Sequence, residues 1–104
     1  MAAYLFAELN IHDPEGYSDY PPQVIPMMAK YGGKLIHRIA HFETSEGDWN
    51  PTRLVVIEFP TKGDIRNFLN SEEYKPLKEL RLRTTTSRVF FGEDDAPAGK
   101  PASP

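Results

Sequence analysis

The chain predicts a ferredoxin-like α+β fold: a four-stranded antiparallel sheet built in the order β-α-β-β-α-β. Three observations carry that expectation. The stretch Gly47 to Pro60 (GDWNPTRLVVIEFP) is a turn followed by a strand in which only Glu58 interrupts Leu54, Val55, Val56, Ile57 and Phe59. A strand with one wet face would alternate apolar and polar residues, so this one is central and covered on both sides. Two helical stripes of apolar residues separate it and three further strand-like runs. Finally, the sheet face that those helices leave uncovered is itself apolar.

Taken in order, Tyr4 to Ile11 is strand one, with Leu5, Ala7, Leu9 and Ile11 on one face and Tyr4, Phe6, Glu8 and Asn10 on the other. Asp13 then caps a helix that has Pro14 at its first position. Tyr17, Tyr20, Val24, Met27, Met28 and Tyr31 recur at helical spacing, with a kink or break expected near Pro21 because proline lacks an N–H. Gly32-Gly33 terminates it. Lys34 to Thr44 is strand two; its alternation puts Leu35, His37, Ile39 and His41 on one face and Ile36, Arg38, Ala40 and Phe42 on the other. A turn at Glu46-Gly47-Asp48 makes a hairpin with strand three. Thr61 caps a second helix that buries Ile65, Phe68 and Leu69. Ser71 caps a further short helix whose inner residues are Tyr74, Leu77 and Leu80, and Thr84 to Gly92 is the last strand.

Composition narrows the function classes. Hydrophobic content of 39% and aromatic content of 12% suit one folded domain over residues 1–92. The segment 93–104 (EDDAPAGKPASP) is Pro-, Gly- and Ala-rich, so a disordered tail is expected there, and deleting it should leave stability nearly unchanged. The net charge of −3 falls mostly in that tail and offers nothing to nucleic acid or an anionic membrane. There are no cysteines, so disulfides, thiol catalysis and thiolate metal sites are excluded. With no leader or long apolar segment in the sequence, a cytoplasmic protein is the expectation. An RNA-binding module shares the element order, but the central strand lacks that module's exposed aromatic motif.

The candidate site residues come from the strands. Glu58 sits in an apolar run and needs a partner or loses its charge. By simple alternation Arg38 on strand two matches its face, so the two are expected to form a coupled pair. The functional reading makes Glu58 a base and Arg38 the group orienting an anionic or carbonyl substrate; the structural reading makes them an ion pair at an interface. Glu8 is a second acid and His41 a lesser acid–base candidate. Tyr4, Phe6, Tyr17 and Trp49 are candidate substrate contacts, Trp49 being expected to pack on a partner chain. His37 and His41 lie ~13 Å apart along a strand, too far to share a metal. No metal or cofactor is called for. Tyr4, Phe6, Leu54, Val56, Ile36 and Phe42 make the uncovered face too apolar for water, and a second copy of the sheet is its simplest cover.

The segments KYGGK (30–34), EGDWNPTRLVVIEFP (46–60) and SEEYKPLKELR (71–81) resemble the family called domain of unknown function 1330. That family belongs to the dimeric α+β-barrel group, with the antibiotic-biosynthesis monooxygenases and the YCII-like proteins. The resemblance spans Ala3 to Gly92. Where the family usually has two glycines after the strand-two arginine, this chain has Ile39 and Ala40; where it has an aromatic pair in the second helix, this chain has Phe68-Leu69. The resemblance implies the fold and a homodimer, but no reaction. Two functions are therefore expected to compete. One is a cofactor-independent enzyme of oxygenase, isomerase or lyase type acting on a small molecule in a cavity at the sheet. The other is a non-catalytic dimeric structural or ligand-binding module.

Overall fold

The structure, a computed structural model, describes residues 2–95. The chain runs β1 (Ala3–Ile11), α1 (Pro14–Tyr17), α2 (Tyr20–Lys30), β2 (Lys34–Ala40), β3 (Arg53–Phe59), α3 (Lys62–Leu69), α4 (Lys75–Thr84) and β4 (Thr85–Glu93). The four strands form one antiparallel sheet in the order β2-β3-β1-β4. This is the ferredoxin-like α+β fold, with β3 and β1 central.

The helix starts follow from local chemistry. The Asp13 carboxylate accepts from the Gly16 N–H at 3.1 Å, and the Thr61 hydroxyl accepts from the Asp64 N–H at 3.1 Å. Each satisfies a donor that the first turn leaves without a partner. The expected break falls at Ser18-Asp19, one turn before Pro21, so Pro21 and Pro22 open α2, where a missing N–H costs nothing. Only Pro26 lies inside that helix. Gly32 takes φ +86° after α2, and a Cβ on Gly33 would stand 2.8 Å from the Phe59 ring. Ser71 does not cap α4. Its hydroxyl donates back to the Phe68 carbonyl at 2.8 Å, closing α3 instead.

All four helices lie on one face of the sheet. Ala3, Leu5, Leu9, Ile57 and Phe59 meet Val24, Met28, Ile65, Phe68 and Leu77 in a single core. Phe59, Phe68 and Ile65 are almost completely buried, each contributing about 2–3 kcal/mol relative to exposure.

Two departures from simple alternation matter. First, β2 and β3 are joined not by a tight turn but by a loop over residues 41–52, with His41 at φ 61° where β2 ends. Second, β2 bulges between Leu35 and His37. Leu35 pairs with Ile57, but Arg38 pairs with Val55 and Ile39 with Leu54. One inserted residue reverses the facing of everything after it. The last strand reaches Glu93, which pairs with Ala3, and the Asp94 N–H donates to the Ala2 carbonyl at 3.2 Å. The remainder of the expected tail, 96–104, lies outside the described residues.

Candidate functional site

The bulge separates the expected pair. Arg38 stands opposite Val55, on the helix-covered face, whereas Glu58 stands opposite Lys34 and Tyr4, on the open face. The sheet lies between them. The expected Arg38–Glu58 ion pair is therefore corrected: alternation was counted through a residue that does not alternate.

The sequence candidates fall into three places. Tyr17 and Arg38 line a cavity between helices and sheet. Tyr4, Phe6, Glu8 and Glu58 share the open face, with Trp49 folded against it. His41 is exposed at the end of β2 and meets none of the others. On the open face, Glu8 accepts from the Trp49 indole N–H and pairs with Arg88 at 3.2 Å, its own side chain only 13% exposed. Trp49 is thus held by its own chain while still 48% exposed. The Tyr4 phenol is held above its ordinary pKa by the charge of Asp94 first, then by burial and Glu58.

The cavity has a volume of ≈ 60 Å³. Its walls are apolar, from Ala7, Leu35, Val55, Leu69 and Val89, and its mouth is marked by the exposed Ile25 and Arg38, between α2 and the edge strand β2. Its polar groups are Arg38, Arg81, Tyr17, Tyr20 and Tyr74. Tyr17 and Tyr20 stack at 5.4 Å, on either side of the break between α1 and α2. The Tyr20 and Tyr74 hydroxyls share a hydrogen bond of 2.9 Å, and Arg81 Nε donates to Tyr74 at 3.3 Å. Arg81 also donates to the Ser87 hydroxyl, and its carbonyl accepts from Thr85 Oγ1 at 2.6 Å. The latter bond lies where α4 passes into β4 without a loop, so the backbone that carries the guanidinium is held at a rigid corner. Arg81 is only 6% exposed.

Burial raises the Tyr17 pKa above the ordinary tyrosine value, while Arg53, Arg38 and Arg81 pull it the other way. Three guanidinium groups therefore act on one phenol. Burial raises Tyr20 as well, and Tyr74 adds to it. Both phenols stay protonated at neutral pH, and in the Tyr20–Tyr74 bond either hydroxyl can be the donor. The cavity has no carboxylate, imidazole or thiol in its lining. Its chemistry is that of hydrogen-bond donors and positive charge, without a general base or a metal-binding set. Among the described residues, no cluster of histidine, aspartate and glutamate is placed to hold a metal, and no helix is long and apolar enough to cross a membrane.

Arg81, Tyr20 and Tyr74 are not among the site residues that the sequence suggests: Tyr20 and Tyr74 read as buried stripe residues, and Arg81 has no role there. The signal was present in the spacing. Tyr74, Leu77, Arg81 and Thr84 recur at three to four residues and form the buried side of α4, while Leu82 is 55% exposed. An arginine at a stripe position is a buried charge waiting for a reason.

Comparison with solved structures returns the same fold at low identity. A protein of unknown function from Rhodopseudomonas palustris matches with a TM-score of 0.75 and 14% identity, over 92% of this chain and 84% of that one. SnoaB, a cofactor-independent oxygenase from Streptomyces nogalater, matches with a TM-score of 0.67 and 10% identity, over 95% and 98% of the two chains. An antibiotic biosynthesis monooxygenase matches with a TM-score of 0.51 and 16% identity, over 93% and 100%. No curated protein matches the sequence. Residues 2–94 match the model of a domain of unknown function, DUF1330, and the chain belongs to that family.

Proposed function

We propose that this protein binds a small organic molecule in the cavity between its helices and its sheet, and that it works as a homodimer joined through the open sheet face. The observation that carries the binding reading is convergence. Arg38 from β2, Arg81 from α4 and the tyrosines of α1, α2 and the α3–α4 connection meet at one apolar-walled space. A chain with no ligand to hold has little reason to bury an arginine there.

The catalytic version of this reading is a cofactor-independent reaction, as in the oxygenase that shares the fold. The cavity supplies donors that can hold a developing oxyanion. It supplies no base, so catalysis at this site is confined to substrates that arrive ionised. Glu58, Glu8 and His41 do not serve as its base, since none of them lines it.

The dimer reading rests on the open face. Phe6 and Phe90 stack there at 5.2 Å, with Phe90 48% and Ile39 39% exposed. Around them stand charges of both signs: Glu8, Glu58, Lys34 and Arg88. A twofold axis places a patch against itself, and a mixed-sign rim around an apolar centre can be complementary to its own copy. Cytoplasmic location and a role for Tyr4, Phe6 or Trp49 at the dimer seam belong to the same proposal. A fragment screen by ligand-observed NMR tests the cavity: hits should disappear in Ala7→Phe, which fills it. Hits that persist in that variant overturn the site. Sedimentation at micromolar concentration tests the dimer, and a clean monomer overturns it.

A further inference from the structure

We propose that the cavity's ligand is a small organic anion, a carboxylate joined to a flat apolar body, with the carboxylate held by Arg81 and Arg38. This rests on the cavity being the binding site, and it adds the ligand's class.

The charge distribution makes the argument. The chain is acidic overall, with 15 carboxylate residues against 12 lysines and arginines. Among the described residues, the ion pairs are Lys30–Glu73, Lys62–Glu93, Lys75–Glu72 and Arg88–Glu8. Neither cavity arginine takes part in one. For a surface arginine that would mean nothing. Arg81, however, is 6% exposed, and its hydrogen-bond partners are the neutral Tyr74 and Ser87. A buried guanidinium ordinarily has a carboxylate beside it, because desolvating the charge is costly without one. Among the described residues no carboxylate is paired with it, while acids are plentiful elsewhere.

The neighbours sharpen this. Arg38 lines the same space from the sheet side. The phenols of Tyr17 and Tyr20 stay protonated, so each keeps a proton that it can donate. Two guanidinium groups and no carboxylate disfavour a cation; an anion is what such a set stabilises. Guanidinium groups in particular match the planar, two-oxygen geometry of a carboxylate.

The body of the ligand follows from the walls. A bare inorganic anion would need a polar surround, but Ala7, Leu35, Val55, Leu69 and Val89 offer none. Stacked Tyr17 and Tyr20, and Tyr74 with its ring 4.5 Å from that of Phe68, make flat boundaries. A space of ≈ 60 Å³ is smaller than the roughly 150 Å³ that encloses one benzene ring, so it takes the carboxylate end, and the flat body stands at the mouth beside Ile25 and Arg38.

The test compares benzoate with benzamide, its neutral counterpart, on the full-length ¹⁵N-labelled protein. Arginine Nε–H signals and the Ala7 and Val55 amides report occupancy. Benzoate should bind saturably and benzamide about tenfold or more weakly, as expected where charge-assisted bonds are lost. Arg38→Met, a change at an exposed side chain that should leave the fold intact, should weaken benzoate by about tenfold and leave benzamide unchanged. Arg81→Gln, checked for folding by the same spectra, should abolish the preference. Equal binding of the two probes overturns the anionic class while leaving the cavity as a site, and an Arg38→Met variant that still prefers benzoate fully overturns the shared grip of Arg38 and Arg81 on the carboxylate. Displacement of benzoate by chloride at equal concentration reduces the site to a simple anion hole and overturns the organic acid. If neither probe nor any neutral fragment binds, the cavity reading fails and the ligand class with it.

Discussion

The two faces of this sheet use the same strands and differ in charge: the helix side gathers arginines, and the open side carries both signs. On the helix side, β2 contributes Arg38, β3 contributes Arg53 and β4 contributes Ser87, with Arg81 descending from α4, and no acid lines the cavity. On the open side, β1 contributes Glu8 and β3 contributes Glu58, beside the stacked Phe6 and Phe90. Strand alternation alone can separate charges only by one pleat. The bulge at Leu35/His37 adds to that difference by sending Arg38 through to the helix side, while Lys34 and Arg88 stay on the open side. A single inserted residue thus decides whether Arg38 shares a face with Glu58 or faces the cavity. The difference between the faces is one of role: one holds the chain together and encloses a space, and the other is left to be covered.

That contrast can be broken most severely on the helix side. Phe68→Ala removes a ring that touches Tyr31, Phe59 and Tyr74, and should cost about 3–5 kcal/mol in chemical denaturation. Loss of less than ~1 kcal/mol would mean that the core is not where the helices meet the sheet. On the open side, Phe90→Asp should leave the chain folded by circular dichroism but weaken self-association by about tenfold or more, close to 1.4 kcal/mol. Should the variant remain as tightly associated as the original, the open face is not the seam.

A smaller effect separates the polar groups. Tyr20→Phe deletes the hydrogen bond to Tyr74 and should cost ~1 kcal/mol near neutral pH. It should also alter the alkaline limb. The Tyr20 phenol is raised well above the ordinary tyrosine pKa of 10.0, by burial first and then by Tyr74. Its folded form holds the proton more tightly than its unfolded form, so its contribution is complete below pH 10 and is lost as pH rises beyond it. The original protein should therefore lose stability above pH 10 more steeply than Tyr20→Phe. Equal slopes in a series of denaturation curves would show that Tyr20 is not a buried phenol.

The smallest expected effect is the most direct test of the bulge. In a double-mutant cycle, Arg38→Met and Glu58→Gln should be additive to within about 0.5 kcal/mol, because the sheet stands between the two side chains. A coupling of 2 kcal/mol or more would return both groups to one face and abolish the bulge.

Much of this molecule was legible in its residues. The four strands, the caps at Asp13 and Thr61, the stop at Gly32-Gly33 and the open face as far as Tyr4, Phe6, Leu54 and Val56 carry it are local in origin, whereas Ile36 falls in the bulge and Phe42 in the loop. Each local feature depends on periodicity of two or 3.6, or on a side chain that meets its own backbone within one turn. Tyr17 on its stripe belongs to the same class. What tertiary structure alone decided was the site. The pleat count through β2 fails at one residue because the bulge answers to the ladder with β3, which no short-range pattern encodes. The long loop over 41–52 swings Trp49 onto Glu8, a contact between residues far apart in the chain. Arg81 stands among Lys78, Glu79 and Arg83 in the chain, yet α4 buries it on the same side as Tyr74 and Leu77. Composition says that a charge exists; only packing says which charges are taken out of water and left without an opposite, and that is the property a binding site is made from.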